Sequence, residues 1–69
     1  MAAETESLPR VWSRLFRAFS GLGTATAAAM AESAVGALSP ATRVTVIRRA
    51  GEVAEASRRL AACARQAGE

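Results

Sequence analysis

Sixty-nine residues with a formal net charge of +3 and a pI near 11.1 make one small basic domain at most. One cysteine and no histidine exclude an intrachain disulfide and a soft-ligand metal cluster. A chain this short buries only about 60% of its unfolded surface, so regular helix packing, self-association or a larger partner must supply stability.

The alphabet is narrow: alanine-rich, with 18 alanines, and arginine-rich, all nine cations being Arg and all six anions Glu. Ala, Arg, Glu, Leu and Met are strong helix formers, whereas the aromatic and β-branched residues of sheets are sparse. The expected class is all-α.

Residues 1–7 read as a flexible acidic N-terminus. Ser7 is placed to cap a helix, with Pro9 in its first turn, where the missing N–H costs nothing. From there Leu8, Val11, Trp12, Leu15, Phe16, Phe19 and Leu22 recur every three or four residues. At about 100° per residue they fill an arc of roughly 140°, with Arg10, Arg14 and Arg17 on the opposite side.

Residues 21–38, "GLGTATAAAMAESAVGAL", resemble a membrane span in length only. Their small residues are weakly apolar, and a central charge such as Glu32 costs roughly 2.5–3.5 kcal/mol on insertion. The better expectation is a close-packing helix continuing the first. If it runs unbroken over 8–38, Leu22, Thr26, Met30 and Ala34 extend the apolar stripe and Glu32 falls on the arginine side. Gly21 and Gly23 are the weak points, each costing about 1 kcal/mol relative to Ala.

"GALSP" ends that helix, because the residue before a proline is pushed out of helical geometry. With 39–40 as the turn, Ser39 caps and Pro40 opens a second helix over 41–67. Val46, Ala50, Val53, Ser57, Leu60 and Ala64 form its seam, widened by Ile47, Ala54 and Ala61. Arg48 with Glu52, and Glu55 with Arg59, are expected i,i+4 pairs. The β-branched "TRVTVIR" over 42–48 is the one strand-like stretch, without a second strand to pair with. Two long helices joined by a Ser-Pro turn predict an antiparallel hairpin, completed by dimerisation or by docking into a larger assembly.

No catalytic constellation is present. Without His, Asp, Tyr or Lys, the one thiol nucleophile is Cys63, which has no base nearby in sequence. "GLG" over 21–23 lacks the third glycine and the strand of a dinucleotide site. The expectation is a non-enzyme with no cofactor, no metal and no small-molecule substrate. Three readings compete for residues 8–22: core, interface or targeting signal. As an interface, Val11, Trp12, Leu15, Phe16 and Phe19 engage a protein groove, a second copy or a membrane, with Arg10, Arg14 and Arg17 contacting anionic groups. As a signal, the Arg- and Ser-containing amphipathic stretch suits mitochondrial import, although Glu4 and Glu6 count against it. The alternative function is a basic dimer gripping nucleic-acid phosphates through Arg48, Arg49, Arg58 and Arg59. An intracellular place is expected, cytoplasmic or mitochondrial, with peripheral membrane association in one reading, and not a secreted one.

Overall fold

The computed structural model describes residues 7–68, in which two helices, α1 (Leu8–Val35) and α2 (Pro40–Gly68), pack as an antiparallel all-α hairpin. No strand occurs among the described residues. The acidic segment over 1–6 lies outside them. "TRVTVIR" is helical, and Thr45 turns its hydroxyl back onto the Ala41 carbonyl at 3.0 Å, a bond that suits a Thr to helical backbone.

Ser7 caps α1: its hydroxyl accepts from the Arg10 amide, and Pro9 sits in the first turn. The helix continues through Gly21 and Gly23 without a break. A Cβ added at Gly21 would lie 3.5 Å from Arg49 Cδ, so the two helices are in contact at this level. α1 ends at Val35, three residues short of the expected Leu38. Gly36 turns to extended backbone there, because the chain must reverse before Pro40.

The hairpin's own core is narrow. Val11, Leu15, Ala25 and Ala56 are the buried apolar residues among those described. Half-buried Ala18, Leu22, Ala29 and Glu32 complete the inner row of α1, whose spacing from Val11 alternates four and three. Facing it on α2 are half-buried Val46, Arg49, Val53, Leu60 and Cys63 around Ala56.

Two expectations are thereby corrected. The expected stripe on α1 is split lengthwise: Val11, Leu15 and Leu22 turn inward, while Trp12, Phe16, Phe19, Thr26, Met30 and Ala34 stay exposed. One facing helix covers a seam, and a 140° stripe is wider than one seam. On α2, Val46, Val53 and Leu60 belong to the seam as expected, but Ala50, Ser57 and Ala64 are exposed, as are Ile47, Ala54 and Ala61.

Glu32, five full turns beyond Arg14, lies at the arginine-side edge of the inner row and closes that row at the turn. There its carboxylate accepts from the Ser39 amide at 3.0 Å and from the Thr42 hydroxyl. Ser39 Oγ accepts from the Thr42 amide at 3.1 Å and donates to Thr42 Oγ1 at 2.9 Å. One residue from α1 thus completes the cap of α2, and amide donors at a helix N-terminus favour its negative charge. The Thr42 hydroxyl, then the Ser39 amide, hold the Glu32 carboxyl below its usual range.

Candidate interaction surfaces

The seam leaves the hairpin with two unlike flanks. On one, Arg14 and Arg17 of α1 meet Arg48, Arg49 and Arg59 of α2 across an open cleft of about 570 Å³. Glu52 and Glu55 share that cleft. Glu52 accepts from Arg49 at 3.1 Å, in place of the expected Arg48. Glu55 accepts from Arg58 at 2.8 Å and lies 3.6 Å from Arg59. The Arg58 bond and charge, then those of Arg59, hold Glu55 below the usual carboxylate range. The helical spacing puts Arg10 one turn above Arg14 on this flank.

The sequence alone puts these arginines in two separate groups, and the fold brings members of both together. Read along the chain, Arg14 and Arg17 go with the aromatic residues, and Arg48, Arg49 and Arg59 with a nucleic-acid grip. The signal for their convergence is the Gly21–Arg49 register, which is tertiary and invisible in either helix alone.

The other flank is apolar. Trp12 is 55% exposed, Phe16 74% and Phe19 54%. Leu8 and Met30 extend the same row, at the same three- and four-residue spacing. A fully buried aromatic side chain covers about 150–250 Å², so these three alone leave on the order of 400 Å² of apolar surface uncovered. That matches the largest patch of an ordinary monomer, on a chain far smaller than most. Val11 and Leu15, named with them as interface residues, are taken by the internal seam: 1% and 7% exposed.

The row continues across the seam onto α2. With the cleft residues Glu52, Glu55 and Arg59 defining one side of α2, a 100° step per residue puts Ala50, Ser57, Ala61 and Ala64 on the opposite side, with Ala54 at its outer edge. All five are exposed. The apolar flank is thus bulky on α1 and nearly flat on α2 from Ala50 to Ala64, with exposed Arg43 at the same angle toward the turn.

Among the described residues no group of His, Cys, Asp or Glu is placed to hold a metal ion, and no helix is long and apolar enough to cross a membrane. No family model matches the chain, and no curated protein or solved structure is detectably similar to it.

Proposed function

We propose that this chain is a small non-enzymatic interaction protein, an accessory subunit or regulator, that docks on protein through Trp12, Phe16 and Phe19. The observation that carries this reading is the exposure of all three aromatics on one helix flank after the intrachain seam has formed. Trp anchors are enriched among residues that dominate interfaces, and truncating such an anchor commonly costs 2 kcal/mol or more, about 30-fold in affinity.

A protein surface accounts for the arrangement better than a lipid one. On a membrane-lying helix the cations occupy the polar face and must still reach the headgroups around the buried apolar face. Arg14 and Arg17 instead line the cleft on the far side of the seam from Trp12 and Phe19. A flat surface touching the aromatics leaves these arginines on the other flank.

A photo-reactive residue in place of Phe16, compared with one in place of Arg48, tests the reading in cells. Discrete protein adducts at position 16, sharply reduced by Trp12→Ala, support it. Adducts confined to position 48, or adducts at 16 that ignore Trp12→Ala in a folded chain, overturn it.

The convergence of Arg14, Arg17, Arg48, Arg49 and Arg59 supports a second reading, a phosphate-backbone grip on nucleic acid. Glu52 and Glu55 oppose it by neutralising part of that cleft. Binding that weakens steeply between about 50 and 200 mM salt, and fails in Arg48→Ala with Arg59→Ala, would favour this reading.

A further inference from the structure

We propose that the occupant of the apolar flank is a second copy of this chain, paired so that α1 of each copy lies on α2 of the other in a four-helix bundle. The inference rests on protein docking through the aromatic row and names the partner.

The first support is self-complementarity of size. Gly21 lies against Arg49. Equal rise along two antiparallel helices carries that register outward, so Leu8, Trp12, Phe16 and Phe19 are level with Ala50, Ala54, Ser57 and Ala61. One half of the flank is therefore a row of large side chains, and the other half, at the same height, a row of small ones. A two-fold axis parallel to the helices seats each large row on the partner's small row without changing the level of any residue. The contact is isologous, the same patch on both copies, and it closes. Every neighbouring pair of helices in the bundle is then antiparallel, as in the hairpin itself.

The second support is area. Helices of 28 and 29 residues are about 42–44 Å long, and two of them side by side about 18 Å wide. In the Gly21–Arg49 register the helices overlap over residues 8–30 and 40–62, about 34 Å, so one flank offers a footprint of roughly 600 Å², at the lower end of the ~600–1,000 Å² per partner of stable interfaces.

The third is charge. From Leu8 to Ala34 the exposed row of α1 holds no ionisable residue; on α2 the row Ala50, Ala54, Ser57, Ala61 and Ala64 is uncharged, and exposed Arg43, five turns before Ala61, is the cation on the same face toward the turn. The arginine cleft faces outward on both copies, so the cation that pairing carries into the contact is Arg43, one per copy, toward the turn end.

Sedimentation and light scattering across a dilution series, followed by Trp12 fluorescence, decide the matter. The expected result is a mass of twice the 7.1 kDa chain, falling to one chain on dilution as the Trp12 emission moves to that of a water-exposed indole. Ala54→Arg, at an exposed position on α2, is expected to keep the helical circular dichroism of the hairpin and abolish the dimer. A mixture of Phe19→Cys chains and Ala50→Cys chains, both carrying Cys63→Ser, is expected to form a mixed disulfide on oxidation.

A wild-type monomer at all concentrations overturns the inference, and so does a dimer indifferent to Ala54→Arg. A dimer in which Phe19→Cys links to itself rather than to Ala50→Cys overturns the pairing. A monomer whose Trp12 emission shifts blue only on vesicles containing anionic lipid assigns the flank to a membrane and overturns it as well. A monomer still cross-linked to another protein at position 16 sinks the second copy alone and leaves protein docking standing.

Discussion

The two ends of the hairpin are held by different chemistry. At the open end, Val11 and Leu15 are buried, with aromatic residues left over beside them. At the turn end, the inner row has shrunk to Ala25, Ala29 and Glu32, and a polar circuit of Glu32, Ser39 and Thr42 fixes the reversal. The open end is held by apolar area and has a surplus of it. The turn end is held by direction, because hydrogen bonds specify geometry in a way that methyl contacts do not. This division tells where stability and where register come from.

The largest expected effect lies at the open end. Leu15→Ala removes a 7% exposed side chain from the seam and is expected to cost about 2–5 kcal/mol, measured by thermal or urea unfolding. An effect below that range would mean that the seam carries less of the stability than its burial implies. Next is Ser39→Ala at the turn end, where loss of the cap to the Thr42 amide is expected to cost about 1 kcal/mol. A cost equal to that of Leu15→Ala would erase the contrast between the ends.

Acid should act on the turn end through Glu32. Its folded carboxyl is held below the usual range, so its contribution is present above the unfolded value and is lost as the pH falls through the folded one. Glu32→Gln is therefore expected to be less stable than wild type near neutrality, with the difference closing as the pH drops below the carboxylate range. A gap that persists in acid would exclude the charge as its origin. The smallest effect is expected along the cleft: Glu52→Gln breaks an exposed pair with Arg49 and should cost about 0.3–0.5 kcal/mol, less in high salt.

Much of the fold was legible because its signals are local. Ser7 and Ser39 read as caps, and Pro40 read as the opening of a second helix. The choice of inner row was not legible in the same way. The sequence of α1 supports two overlapping rows, one through Leu8, Trp12, Phe19 and Met30, and one through Val11, Leu15, Ala18, Leu22 and Ala25. The first holds larger side chains and so dominates any reading of periodicity. The second wins inside the chain because its small residues let α2 come close, as at Gly21 and Arg49. On α2 the same competition separates Arg49, Ala56 and Cys63 from Ala50, Ser57 and Ala64. Both rows alternate four and three, and only the neighbour distinguishes them. The Glu32 circuit escaped for a related reason: a carboxylate seven residues before its amide donor bonds it only once the chain has turned.

The stagger of α2 against α1 has a practical corollary. With Gly21 level with Arg49, Leu8 is level with Ala62, so α2 runs on to Gly68 about 9 Å past the start of α1. A purification tag or fluorescent fusion after Gly68 therefore starts past the aromatic row rather than on it. The turn over residues 36–39 points the other way. A short epitope inserted at exposed Gly36 or Ala37 would report on the protein while leaving that row unencumbered.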